Sequence, residues 1–273
     1  MILRRILHRP EGMVGLLFLA ALVLAALAAP LLFPGDPKAI AGAPMIPPFS
    51  DRAFPLGTDR LGRDLLAGLF HGAQTSLLVG AAAAMVAMAG GMLVGTTAGF
   101  AGGLIDEALM RVVDAFQIVP GFLLALAFVS VTGPTLTAVV IAIALAAWTG
   151  PARLARAEVL RLRQADFVAA ARTMGEHPLR IALRDVLPLA LPPVLALAAV
   201  IVANAVLTES ALSFLGLGDP NAVTWGGMIA EGRNQIRAAA YLSIIPGLAL
   251  VVTVISIYLC ADALAEALSA PRR

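Results

Sequence analysis

Apolar residues run along this chain in six long blocks, separated by polar stretches of unequal length and charge. A spanning helix needs about 20 apolar residues. Blocks at about 12–33, 75–100, 110–131, 135–151, 189–214 and 241–265 meet or approach that length. The pattern predicts an all-α integral membrane protein with six transmembrane helices. It divides the chain into an N-terminal segment with the first helix (1–33), a polar connection (34–74) and a core of five helices (75–273) that carries a polar loop at 152–188. The first block follows Arg4 and Arg5 and contains Ala26-Leu27-Ala28, which resembles a leader cleavage site. Its apolar run continues through Leu31, Leu32 and Phe33, longer than a leader core, so it reads as an uncleaved anchor.

Composition agrees with the blocks. The chain is 60% hydrophobic and 13% charged, with a mean hydropathy of +0.92, against about 25% charged residues in soluble domains. Arginine then sets the orientation. Arg4, Arg5 and Arg9 precede the first block, Arg111 lies between the second and third, and Arg272 and Arg273 end the chain. Arg153, Arg156, Arg161, Arg163, Arg172, Arg180 and Arg184 crowd the loop between the fourth and fifth. With six spans all of these fall on one side, which the positive-inside rule makes cytoplasmic. Both termini are therefore expected in the cytoplasm, with the protein multi-pass in the membrane.

Several chemistries are excluded. Lys38 is the single lysine and sits in DPKAIAG, so the G-x-x-x-x-G-K-[ST] phosphate loop is absent. If ATP drives this protein, another chain hydrolyses it. Cys260 is the one cysteine and the three histidines are dispersed, which leaves no pair at metal-ligand spacing. No catalytic residue, metal ligand, bound cofactor or nucleic-acid partner is expected.

Within the spans, Gly91, Gly95 and Gly99 recur every four residues, the spacing that lets helix backbones approach closely in lipid. Pro120, Pro192, Pro193 and Pro246 are placed to kink or start helices. Asn204 is the candidate for lining a path, because it lies mid-span, although an interhelical hydrogen bond explains it equally well. Asp114 and Glu209 read as braces near the membrane boundary.

The basic loop has an order of its own. PARLARAEVLRLRQ, from Pro151, reads as an amphipathic helix whose arginines face water or headgroups. Asp166 is the expected N-cap of a second, short helix, and Gly175 the residue that ends it. Pro178 opens a third helix. A short crosswise helix carrying the small residues Ala169, Ala170 and Ala171 suits a groove on a partner.

This loop, DFVAAARTMGEHPLRIALRDVLP, resembles the EAA loop through which import permeases of ATP-binding-cassette (ABC) transporters contact their ATPases. Four further segments narrow the resemblance: FPLGTDRLGRDLLAGLFHGAQTSLLVG (Phe54–Gly80), AGGLIDEALMRVVD (Ala101–Asp114), LTESALSFLGLG (Leu207–Gly218) and TWGGMIAEGR (Thr224–Arg233). Together they look like the second, C-type, permease of the peptide/nickel branch, over about residues 54–268. The motif's glutamate is replaced by Ala169, and an aliphatic position by Asp185. The resemblance implies a type I importer permease fold and no catalysis in this chain. It also implies four partners besides lipid: a homologous B-type permease, two ATPases holding ATP and Mg, and an extracytoplasmic solute-binding protein. Asp166, Phe167, Ala169, Ala170, Ala171, Arg172, Met174 and Gly175 are then the ATPase-coupling residues. Dipeptides, oligopeptides, glutathione-like peptides and nickel chelates all stay open as the solute. The alternative function is an ion-coupled secondary transporter, which would need internal repeats.

Overall fold

A computed structural model describes residues 10–269. Arg4, Arg5, Arg9, Arg272 and Arg273, used above for orientation, lie outside the described residues. Among the described residues, ten helices carry the fold: α1 (Pro10–Leu32), α2 (Leu65–Ala101), α3 (Gly103–Ile118), α4 (Gly121–Thr132), α5 (Leu136–Ala147), α6 (Thr149–Arg163), α7 (Asp166–Thr173), α8 (Leu187–Phe214), α9 (Trp225–Gly232) and α10 (Tyr241–Ser269). A turn at Pro178–Arg180 and a π-helical segment, Ile181–Val186, lead into α8. Among the described residues there is no strand, only two isolated bridges in the connection before α2.

Among the described residues, four helical segments are long and apolar enough to cross a membrane, and counting each of two bent pairs as one span gives up to six. The six expected spans are reached when each bent pair counts as one, and two of the six are therefore broken. The third block is α3 and α4, turned by 84°. Val119 and Pro120 at the break both have extended backbone, and proline keeps its predecessor out of the helical region. The fourth block is α5 and α6, bent by 43° at Trp148. The second block also starts earlier than its hydropathy shows. Asp64 caps α2 by accepting from Leu66 N at 2.9 Å, which moves residues 65–74 from the polar connection into a helix of 37 residues. At 1.5 Å per residue that helix is about 55 Å long, well beyond the hydrocarbon core.

α2 is the central post, packed against α1, α5, α6 and α8. Val79 and Ala83 of α2 meet Ala125 and Val129 of α4, Val139 and Ile143 of α5, and Ala205 and Leu212 of α8 in one apolar cluster. A second cluster joins α2, α5, α6 and α8 through Ala87, Ala144, Ala155 and Val194. Pro192 and Pro193 lie inside α8 and Pro246 inside α10. Just before Pro188 the chain widens to the π register, with Leu187 N donating to Ala182 O. That wider turn gives the proline ring room against the preceding carbonyl. The connection before α2 folds over the far end of the bundle. Tyr241 Oη donates to Ile46 O and Thr58 O there, each at 3.0 Å.

Candidate functional site

The polar loop is an arm built on its own small core. Val168 and Ala171 of α7 are buried against Val159 and Leu162 of α6, Ile181 and Val186 of the π segment, and Ala190 of α8. Asp166, Phe167, Ala169, Ala170, Arg172, Met174 and Gly175 stay exposed, with Phe167 at 40% and Met174 at 76%. The structure therefore splits the expected coupling set. Seven residues face outward, and Ala171 anchors the helix to its own chain. Asp185 is half-buried, while Val186 beside it supplies the apolar contact to this core.

The start of α7 differs from the expectation. Ala165 is the N-cap, with extended backbone (φ −75°, ψ 149°) and no side-chain cap bond, and Asp166 is the first helical residue. Asp166 thus sits in the first turn, where its charge meets the positive helix end without a direct cap bond. Ala169 is consequently the fourth helical residue, and a glutamate there would close no capping box with position 166. The other end matches a Schellman motif. Gly175 has φ +79°, Glu176 N donates to Ala171 O at 3.1 Å, and Gly175 N donates to Arg172 O at 3.0 Å. Such a left-handed turn strongly favours glycine.

Upstream of the arm, α6 lies on α2 along the glycine stripe. A methyl group at Gly91 would overlap Trp148 O, one at Gly95 would overlap Ala152 O, and one at Gly99 would come within 2.8 Å of Val159. Gly90, next to the stripe, faces open space. Glycine is required here because two helix backbones touch.

The α6 arginines were expected to face water or headgroups; Arg153 and Arg161 are exposed, and all four also find partners in the chain. Arg156 grips Asp106 of α3 with two bonds, Nε–Oδ1 at 2.5 Å and Nη2–Oδ2 at 2.7 Å. Arg153 pairs with Asp114 at 2.5 Å, Arg163 donates to Gly99 O at 3.3 Å, and Arg161 pairs with Glu158 of its own helix. Sequence reasoning missed the α3–α6 pairing. The signal was present: Asp106, Val113 and Asp114 share a helix face, as do Arg153 and Arg156.

At the other end, Glu209 of α8 is 1% exposed. It accepts from Ser213 Oγ at 2.7 Å, Ser76 Oγ of α2 at 3.1 Å and Ser210 Oγ at 3.3 Å. Trp225 N, which opens α9, donates to Ser76 Oγ at 3.4 Å. This brace is more central than its place near a span end implied. Above it, a cavity of about 350 Å³ opens between the connection before α2 and the α8–α9 turn, lined in part by Arg63, Ser213, Asp219, Thr224 and Glu231. Asn204 is exposed on α8 and its Oδ1 accepts from Tyr258 Oη of α10 at 3.0 Å. That bond ties two helices, and the same side chain stays on an open face of the chain. Among the described residues, no group of three His, Cys, Asp or Glu side chains has metal-binding geometry.

Comparison with known proteins is consistent throughout. Residues 91–273 match the family described as binding-protein-dependent transport system inner membrane component. The chain is 38% identical to the di/tripeptide transport system permease protein DppC of Pseudomonas aeruginosa, over 96% of this chain and 88% of that protein. It is 37% identical to the nickel transport system permease protein NikC of Escherichia coli K12, covering 92% and 91% of the two chains. A glutathione transport system permease protein of Pectobacterium atrosepticum is 33% identical, covering 97% and 88%. In fold, the chain is similar to a chain of the MetNI methionine ABC transporter in an inward-facing conformation. The TM-score is 0.61 at 19% identity, covering 74% of this chain and 97% of that one. Nothing in these similarities supports the ion-coupled alternative. A broken-helix bundle with a short helix on a polar arm and these relatives make the chain a multi-pass permease subunit, and it belongs to the family of inner membrane components of binding-protein-dependent ABC importers.

Proposed function

We propose that this chain is the C-type permease of a peptide importer in a bacterial cytoplasmic membrane. It forms half of a translocation path with a homologous B-type subunit. ATP and Mg are held by two separate ATPases below, and solute arrives on a binding protein from the far side. The observation that carries this reading is α7: an exposed helix end, closed by Gly175, on an arm whose inward face is anchored by Val168 and Ala171. Phe167, Ala169, Ala170, Arg172, Met174 and Gly175 form the surface that enters the ATPase groove, with Asp166 at its leading end.

Energy passes by population shift. ATP closes the ATPase pair, closure moves α7, and the permease exchanges inward- and outward-facing states. Such an equilibrium moves only through differential affinity for its two states. The arginine asymmetry of the sequence supports the arm and both termini lying in the cytoplasm. Similarity to a di/tripeptide permease across nearly the whole chain favours peptides as the solute.

A cross-link tests this reading. In a Cys260→Ser background, Thr173→Cys should cross-link to the ATPase in the assembled complex, while Ser50→Cys should not. Mass spectrometry of the solute carried by the purified binding protein should find a short peptide; a nickel chelate would revise the substrate class.

A further inference from the structure

α3 is attached thinly. Val113 is its one fully buried residue, and Phe116 adds an edge contact to Trp148 at 5.3 Å. Leu104, Ile105, Val112 and Ile118 on it are exposed. Among the described residues, its side-chain ion pairs to the chain's body are those to α6, Asp106–Arg156 and Asp114–Arg153. The first is the stronger: it is bidentate, Asp106 is 15% exposed, and Arg156 is 35% exposed. The second is more than half exposed on both sides. α6 itself is fixed to α2 by the glycine stripe and leads through Gln164 and Ala165 into α7. The C-terminal end of α3 meets the 84° break before α4.

We propose that Asp106 and Arg156 are positioning residues that make α3 travel with the ATPase-facing arm, so that arm movement is delivered to the elbow at Val119–Pro120. The fold supports this division of labour. An apolar seam would bind α3 to α6 without directional preference, whereas a bidentate guanidinium–carboxylate pair fixes orientation as well as distance. The elbow is where that fixed orientation ends, because Pro120 interrupts the helix there. The inference rests on the proposed role of α7 as the ATPase contact.

The test uses the complete transporter with spin labels at Ile118→Cys on α3 and Leu17→Cys on α1, in the Cys260→Ser background. Distances are compared between the nucleotide-free complex and one trapped with ATP and vanadate. Wild-type pairing should give a nucleotide-dependent shift. Asp106→Arg and Arg156→Asp should each abolish it, and the double exchange should restore at least half of it. The melting temperature of each complex is measured alongside: a folding defect lowers it in the single variants, whereas loss of coupling leaves it at the wild-type value. The Thr173→Cys cross-link, measured in the same complexes, reports the ATPase contact separately. A shift that persists in both single variants overturns the proposal, as does its absence in the unaltered pair. With the cross-link retained, a double exchange no better than the single variants also overturns it.

Discussion

Ser76 Oγ on α2 donates to Glu209 Oε2 on α8 at 3.1 Å, in a site closed to solvent. The same hydroxyl accepts from Trp225 N, so one serine and one carboxylate join two spanning helices to the start of α9. Removing the carboxylate strands several buried hydroxyls, and each orphaned polar group costs about 1–3 kcal/mol. Glu209→Ala should therefore destabilise the chain by about 3 kcal/mol, read as a lower melting temperature in detergent. Glu209→Gln keeps the side-chain volume and one acceptor oxygen, while its NH2 donates to a serine hydroxyl that can rotate to accept, and it should lose about 1 kcal/mol. Equal melting temperatures for the two variants would show that the hydrogen bonds do not hold the junction.

The α2–α6 seam gives a sharper contrast. Gly95→Val should disrupt packing by about 1–3 kcal/mol, the range for forcing extra carbon into a filled contact. Gly90→Val should be nearly silent, since a side chain there meets open space. Thermal stability of the purified chain compares the two directly, and a similar loss from both would place the seam elsewhere.

At the arm, Ala171→Asp and Met174→Glu separate anchoring from docking. The first puts a carboxylate into the apolar cluster around Ile181 and Val186 and should loosen the arm itself. Proteolysis near Gly175 would report that loosening. The second leaves the arm folded, because Met174 is exposed, and should weaken ATPase association alone. Co-purification of the ATPase with an arm that stays protease-resistant distinguishes the two effects.

Orientation has its own check. With Cys260→Ser, Thr173→Cys should resist an impermeant thiol reagent in intact cells and Ser50→Cys should react. The reverse labelling would invert the topology. Thr173 suits the test because it is exposed on the arm.

Each hydropathy block overlaps one of the helices or bent helix pairs apolar enough to cross a membrane among the described residues, because burial in lipid is written directly into composition. They blurred where geometry departs from a straight cylinder. Pro120 announced a break, yet the 84° turn depends on where α3 and α4 find separate partners, which no local pattern encodes. The early start of α2 was carried by Asp64, a cap residue among polar neighbours, and hydropathy is blind to caps. At the arm, Gly175 was legible because a left-handed turn demands glycine. The inward direction of Ala171 was not, since it depends on how α7 docks onto Ile181 and Val186 from a later segment. The pairing of Asp106 with Arg156 joins residues fifty positions apart, and only the α2–α6 seam brings their helices together.

The central claim is that this permease receives ATP-driven movement at the turn ended by Gly175. The most direct measurement is ATP turnover by the reconstituted complex, with and without its loaded binding protein, at equal assembly of wild-type and Gly175→Val chains. A β-branched residue at φ +79° is strained by about 1–2 kcal/mol, and that strain falls at the proposed ATPase contact. Wild type should be stimulated by the binding protein, Gly175→Asn should retain most of the stimulation, and Gly175→Val should lose about tenfold, the factor equivalent to 1.4 kcal/mol. Equal stimulation of wild type and Gly175→Val would contradict the claim.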